Sequence, residues 1–303
     1  LYWGAQWCPP CHEIKATIFS QREFVERSRL FVPVYLDGDT EDAQREGDRF
    51  GVFGYPTMIV LRSDGTEITR IPGGIDVERY AGVLDLALAD ARPVAAALQI
   101  ADSNPAELTK QDYRLFAFYS WGQDNQAALD GRSLADTLAS LVETCPEELP
   151  DECARLFGAY LMAAFDDDVA LPATEREAAV ARVQRILEDE SATRATRDLV
   201  VHYSAEVVGL TLPGSEQRDA LVAAWLAAID GIAADERLSL TTRLRVTETR
   251  MHLFRVDDPE AALTESLLDE ARERVAWADA NARTANQRQA VMNSASRVSC
   301  THL

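Results

Sequence analysis

The stretch that decides the fold is Gly4-Ala5-Gln6-Trp7-Cys8-Pro9-Pro10-Cys11-His12. The apolar residues 1–5 predict a strand that leads into it. A helix is predicted to begin at about Pro9 and to run through Ile18, because the first helical position needs no backbone N–H and therefore tolerates proline. The two cysteines then lie one turn apart at the start of a helix. Two sulfurs in this arrangement can bond to each other reversibly, which predicts thiol–disulfide chemistry.

The two cysteines are expected to have different roles. Cys8 lies at the positive end of the helix dipole, which favours its thiolate, so it is predicted to be the exposed, attacking sulfur. Cys11 lies one turn inside and is predicted to resolve the mixed disulfide with a substrate. Pro9 and Pro10 stiffen the connection between the sulfurs. No histidine stands between the cysteines to stabilise the thiolate as in a strong oxidant, so the pattern favours a reductase.

The first hundred residues alternate short β-type runs with helical patterns, which is typical of an α/β domain. Strands are predicted at 31–36, 57–61 and 66–71, and a helix is predicted at 40–50. Asp64-Gly65 between the last two strands is a strong hairpin signal. Asp76 is predicted to cap a further helix that extends through Leu88.

Several of these segments together resemble the thioredoxin superfamily over residues 1–92. They are the aromatic strand with Gly4-Ala5-Gln6-Trp7-Cys8-Pro9-Pro10-Cys11, then Thr17-Ile18-Phe19-Ser20, Gly54-Tyr55-Pro56-Thr57 and the Asp64-Gly65 hairpin. Within the superfamily, this region looks most similar to periplasmic thioredoxin-like domains such as the C-terminal domain of the membrane disulfide reductase DsbD. The resemblance implies an N-terminally truncated fold, because the first strand and helix of the family would precede Leu1.

The resemblance also implies a site around the cysteines. Pro56 is expected to be a cis proline that faces the sulfurs, rather than an ordinary turn proline, and Tyr55 is expected to offer its backbone to a substrate strand. The supporting or substrate-binding residues are predicted to be Trp7, Pro9, Pro10, His12, Tyr55 and Pro56. His12 has two interpretations, as an exposed residue of the first helical turn or as a group that tunes Cys8.

One position departs from the family pattern. Many thioredoxins place a buried acid on the strand before the motif, and that position falls at about Tyr2 here. The proton acceptor for Cys11 is then expected to be water, Glu13 or another group that belongs to the second domain. The sequence leaves these alternatives open.

The residue pattern of the sequence changes after Pro93. Runs of β-branched residues end there, and Ala, Leu, Arg and Glu follow at helical spacing. We predict a thioredoxin-like domain over 1–92, a linker over 93–104 and an all-helical domain over 105–303, either a bundle or an irregular helical repeat. The predicted helices of this region are 106–121, 133–143, 151–165, 174–189, 193–210, 215–233, 238–255, 260–280 and 284–299.

The composition restricts the partners. Thirty basic and fifty acidic residues give a formal net charge of -20. So acidic a surface repels nucleic-acid phosphates and anionic lipid headgroups. No apolar run is long enough to span a bilayer. The expected partners are therefore a protein substrate with cysteines or a disulfide and a redox partner protein, without nucleic acid and without membrane insertion.

The remaining cysteines bear on the compartment. Cys145 and Cys153 flank a short loop that contains Pro146 and Pro150, so they form either a structural disulfide or two separate thiols. A disulfide here would indicate an oxidising space such as a bacterial periplasm, and the cytoplasm is the alternative location. Cys300 would then be left unpaired.

Two other functions compete with the oxidoreductase. Cys-Pro-Pro-Cys-His also satisfies the pattern for attachment of a c-type haem, but the prolines at the helix start and Tyr55-Pro56 are not required by haem. We predict no cofactor, and no metal, because a second pair of ligands at suitable spacing is missing. The second alternative is a helical scaffold or chaperone-like binding module in which the redox site is secondary.

Overall fold

A computed structural model describes residues 1–71, 77–89, 91–122 and 126–300. The chain divides into two compact units, Leu1–Tyr160 and Leu161–Leu303. The predicted helix cap Asp76 lies outside the described residues. Among the helices of the described ranges, none combines the length and the apolar character that a membrane crossing requires.

The first unit contains a four-stranded mixed sheet in the order β2-β1-β3-β4. Its strands are β1 (Tyr2–Gly4), β2 (Tyr35–Asp37), β3 (Thr57–Leu61) and β4 (Glu67–Ile71). Strand β1 pairs parallel with β2 and antiparallel with β3, and β3 and β4 form the predicted hairpin. Parallel strands need a long crossover. It consists of α1 (Pro9–Ile14), a π-turn (Lys15–Phe19), α2 (Arg22–Arg27) and a 3₁₀ turn (Ser28–Leu30).

Strand β1 holds the sheet between two apolar layers, because successive side chains of a strand point to opposite faces. Trp3 is fully buried with Ala43 and Ile59 on one face, and its indole N–H donates to the Ala43 carbonyl at 3.0 Å. That carbonyl belongs to α3 (Glu41–Phe50), which Thr40 caps as its side chain accepts from the Ala43 N–H. Tyr2 is buried and meets the ring of Phe19 edge-on, with ring centroids 4.9 Å apart. The cysteine motif therefore follows directly after a strand that is buried in the core.

One prediction for the crossover is corrected, and one helix was not predicted. The strand predicted over 31–36 begins only at Tyr35, and the Tyr2 N–H donates to the Val34 carbonyl just before it. Pro33 has no N–H to donate to a ladder, so pairing over the whole run is blocked. The structure also contains α2, which the apolar periodicity did not indicate.

The first unit continues past the predicted domain boundary at residue 92. Its remaining helices are α4 (Val77–Leu88), α5 (Val94–Ser103), a 3₁₀ turn (Pro105–Glu107), α6 (Lys110–Ala117), α7 (Gln126–Leu129), α8 (Leu134–Thr144) and α9 (Pro150–Asp166), whose last turns extend into the second unit. The predicted linker 93–104 thus contains the helix α5, which buries Val94 and Leu98 and contacts β4. The Ser120 N–H donates to the Arg70 carbonyl of β4 at 3.1 Å. The division into domains at 92 and 105 stays a prediction.

The regular elements among the described residues of the second unit are all helices. It contains α10 (Ala173–Glu188), α11 (Glu190–Ala195), α12 (Arg197–His202), α13 (Ser204–Gly209), α14 (Glu216–Ala234), α15 (Leu240–Phe254), α16 (Glu265–Asn281) and α17 (Ala285–Cys300). Contacts join α10 to α14, α14 to α15, α15 to α16 and α16 to α17. The predictions at 174–189, 215–233, 238–255 and 284–299 are confirmed within a few residues.

The single helix predicted over 193–210 is wrong, because the chain forms three short helices, α11 to α13, across that stretch. The backbone leaves helical geometry at Thr196 and Tyr203. Two carbonyls near the end of α12 are satisfied from other helices, since Trp225 donates to Val200 O and Thr249 donates to Val201 O, both at 2.8 Å. Tertiary hydrogen bonds thus replace the helical ones that the breaks remove.

Candidate redox site

Helix α1 places the two cysteines as the sequence spacing predicts. Cys8 is the N-cap residue, and Pro9 and Pro10 occupy the first helical turn, where no backbone N–H is needed. Cys8 and Cys11 are joined by a disulfide with their Cα atoms 5.3 Å apart. The Cys11 N–H donates to Cys8 Sγ at 3.2 Å. This donor would also stabilise negative charge on Cys8 Sγ in the reduced form.

The expectation that Cys8 is exposed is wrong for the disulfide form. Cys8 is 1% exposed and Cys11 is fully buried, in a cluster with Ala5 against which Tyr55 packs. The next residues, Pro9 and Pro10, are exposed.

The Tyr55-Pro56 loop reaches the cysteines, as the resemblance implies. The Tyr55–Pro56 peptide bond is cis, and the Tyr55 side chain packs against Cys8 and Cys11. The Tyr55 hydroxyl donates to the Gly38 carbonyl at 3.1 Å. A Cβ atom at Gly38 would overlap the Tyr55 ring, so the close approach of this loop requires glycine. Burial raises the pKa of Tyr55, and the nearby carboxylates of Asp39 and Asp37 raise it further.

An exposed aromatic rim borders the site. Trp7 is 65% exposed, lies 6.0 Å from the Tyr55 ring between centroids, and donates its indole N–H to Asp39 Oδ1 at 2.7 Å. Phe53 is 82% exposed and is only two residues before Tyr55 in the chain. The sequence analysis missed Phe53 and Asp39. A large aromatic side chain so close to the proline motif was the available signal for Phe53, whereas nothing in the sequence connects Asp39 with Trp7.

Of the groups suggested to assist the cysteines, the structure shows the exposure and the hydrogen bonds. His12 is exposed, and its Nε2 donates to the Gln6 carbonyl at 2.5 Å. Glu13 is exposed as well. The Tyr2 hydroxyl donates weakly to the Cys11 carbonyl at 3.5 Å, and burial, followed by repulsion from Tyr35, raises the pKa of Tyr2 to about 12. Tyr2 thus contacts the backbone of Cys11 as a neutral phenol.

The geometry also bears on the haem alternative. Haem attachment needs both sulfurs as thioethers and the histidine as an iron ligand. Here the two sulfurs are bonded to each other, and His12 is hydrogen-bonded to Gln6. Across the described ranges, no cluster of three or more His, Cys, Asp or Glu side chains is arranged to hold a metal ion.

Comparison with known proteins agrees with the geometry of the first unit. A family model described as a thioredoxin-like domain matches residues 1–88. Residues 1–88 are a thioredoxin-like domain. Neither the curated proteins nor the solved structures contain a match to the chain. The thioredoxin-like domain and its close Cys8–Cys11 pair fit a redox role.

A second disulfide lies in the helical part of the first unit. Cys145 follows α8, and Cys153 lies in the first turn of α9. The two residues are bonded with their Cα atoms 5.8 Å apart, and Cys153 is buried. Of the two arrangements that the sequence left open, the structure has the disulfide, which fixes the turn between these helices.

Proposed function

We propose that this protein is a thiol–disulfide oxidoreductase that exchanges electrons with the cysteines of other proteins through Cys8 and Cys11, and that it acts as a reductase. The observation that carries the proposal is the Cys11 N–H directed at Cys8 Sγ, at the start of a helix in a thioredoxin-like domain. Such a donor makes Cys8 the better nucleophile of the pair when the disulfide is reduced.

The proposed reaction begins with the reduced pair. The Cys8 thiolate attacks one sulfur of a substrate disulfide, forms a mixed disulfide and releases the other substrate sulfur as a thiolate, which takes up a proton. The Cys11 thiol then loses its proton and attacks Cys8 Sγ. The Cys8–Cys11 disulfide forms, the second substrate thiol is released, and two electrons have passed to the substrate. A redox partner protein must reduce Cys8–Cys11 again.

Trapping of the mixed disulfide tests this proposal. In a Cys11→Ser variant the resolving sulfur is absent, so substrate proteins should accumulate on Cys8 and be identified by mass spectrometry. A Cys8→Ser variant is the matched control and should trap none through this site. If the Cys11→Ser variant traps nothing, the helical scaffold replaces the oxidoreductase as the better hypothesis.

The direction of electron flow has a separate test. Equilibration of the Cys8–Cys11 pair with glutathione should give a reduction potential near that of thioredoxin, about -270 mV. A value near that of a strong oxidant, about -120 mV, would contradict the assignment as a reductase.

We also propose an extracytoplasmic location, such as a bacterial periplasm. The support is the Cys145–Cys153 disulfide, since such bonds persist in oxidising compartments. The helical region after the redox domain is proposed to bind a partner or to position substrates. Fractionation of cells followed by alkylation of free thiols tests the location, because cytoplasmic protein would have Cys145 and Cys153 reduced.

A further inference from the structure

Two aromatic side chains at the redox site are largely exposed. Phe53 is 82% exposed and Trp7 is 65% exposed, although large apolar side chains are normally covered when several lie close together. Trp7 precedes Cys8, and Phe53 lies two residues before Tyr55, which packs against the cluster that the cysteines form with Ala5. Both exposed side chains are thus close in the chain to residues of the redox site, Trp7 to Cys8 and Phe53 to Tyr55.

The turn over residues 37–39 adds negative charge to the same rim. Asp39 Oδ1 accepts from the Trp7 indole N–H at 2.7 Å, and Asp37 Oδ1 accepts from the Asp39 N–H at 3.2 Å. The Tyr55 hydroxyl donates to the Gly38 carbonyl between them. The turn is thus anchored to Trp7 and Tyr55. Within the described ranges, neither carboxylate takes part in an ion pair.

We propose that Phe53 and Trp7, together with the carboxylates of Asp37 and Asp39, select protein segments in which the reacting cysteine is flanked by an apolar and a basic side chain. This inference rests on the proposed function. Exposed aromatic rings gain free energy when an apolar side chain covers them. Unpaired carboxylates attract a basic side chain and speed its approach. Trp7 belongs to both features, because its ring is exposed beside Cys8 and its indole N–H donates to Asp39, so one segment bound next to Cys8 would contact both.

The test uses four short peptides that each contain one intramolecular disulfide. One neighbour of the reacting cysteine is Leu or Ser, and the other neighbour is Lys or Glu, which gives the four combinations. Each peptide is mixed with the reduced protein, and the rate of peptide reduction is followed by acid quench, alkylation and mass spectrometry. We expect the Leu/Lys peptide to react about tenfold faster than the Ser/Glu peptide at low salt, and the Lys/Glu ratio to shrink in 1 M salt, because salt screens exposed charges.

Variants assign the preference to residues. Phe53→Ser should lower the Leu/Ser rate ratio severalfold and leave the Lys/Glu ratio unchanged. The double variant Asp37→Asn/Asp39→Asn should lower the Lys/Glu ratio and leave the Leu/Ser ratio unchanged. Asparagine keeps the acceptor oxygen for each hydrogen bond and removes only the charge. Val32→Ser is the matched control, since Val32 is 84% exposed in the same unit and lies three residues before β2, whereas Asp37 is the last residue of that strand. This variant should retain both ratios.

The outcomes separate the two proposals. Equal rates for all four peptides, or ratios that survive the substitutions at positions 37, 39 and 53, would overturn the selection of substrates and leave the oxidoreductase intact. Reaction with none of the peptides, together with no trapped substrate on Cys8, would overturn the proposed function and this inference with it.

Discussion

The two disulfides of the first unit place the same bond in different surroundings. Cys8–Cys11 closes a single helical turn, receives a backbone N–H on Cys8 Sγ and lies beneath a rim of exposed aromatic residues. Cys145–Cys153 joins the end of one helix to the start of the next, within a packed helical region. The comparison teaches that the surroundings of a disulfide, rather than the bond itself, separate a redox pair from a structural crosslink.

The largest expected effect is the loss of exchange on removal of Cys8. Cys8→Ser should reduce peptide disulfides no faster than buffer does, because the attacking sulfur is absent. The Cys145→Ser/Cys153→Ser double variant should keep the wild-type rate. Peptide reduction followed by mass spectrometry measures both. A double variant that is as inactive as Cys8→Ser would refute the distinction between the two disulfides.

The next effect is the loss of stability without Cys145–Cys153. This disulfide closes a loop of about nine residues, so its removal should lower the free energy of unfolding by about 2–3 kcal/mol. Urea unfolding, with Cys8–Cys11 kept oxidised, gives the value. The reduction potential of Cys8–Cys11 should stay as it is in the wild type. A change in this potential would show that the two disulfides are coupled.

A substitution at Gly38 should give a smaller effect that is confined to the redox site. Gly38→Ala places a methyl group into the Tyr55 ring and should cost about 1–3 kcal/mol of stability while slowing peptide reduction. Gly82→Ala is the control, because a Cβ at Gly82 in helix α4 meets no atom within 4 Å. The control should be neutral, or stabilising by up to about 1 kcal/mol. Equal behaviour of the two variants would mean that Tyr55 is not held against Gly38.

The smallest effect concerns Tyr2, whose hydroxyl meets the backbone of Cys11. Tyr2→Phe removes only a long hydrogen bond and should cost less than about 1 kcal/mol at pH 7.

The pH dependence of stability offers a second measurement on Tyr2. Burial raises the pKa of Tyr2 to about 12, so the stabilising contribution of the neutral phenol is complete below the unfolded value of about 10. It is lost as the pH rises from about 10 through 12. Unfolding at pH 9 and pH 11.5 should therefore show wild type losing more stability than Tyr2→Phe.

Much of the fold follows from local patterns in the sequence. The helix that begins at Pro9, the helix capped by Thr40 and the hairpin around Asp64-Gly65 all appear where capping, proline and turn chemistry place them. Most helices of the second unit follow the spacing of Ala and Leu. These features need only neighbours within a few residues, so the sequence alone predicts them.

The sequence by itself determined that two cysteines lie one turn apart at a helix start, and that a tyrosine and a proline accompany them. The tertiary structure decided that Tyr55 packs against the cluster of Ala5, Cys8 and Cys11, that Asp39 accepts from Trp7 and that Cys8 is buried in the disulfide form. It also decided that Thr196 and Tyr203 interrupt a predicted helix. The physical reason is distance along the chain. Each of these contacts depends on segments that only sheet pairing and helix packing bring together.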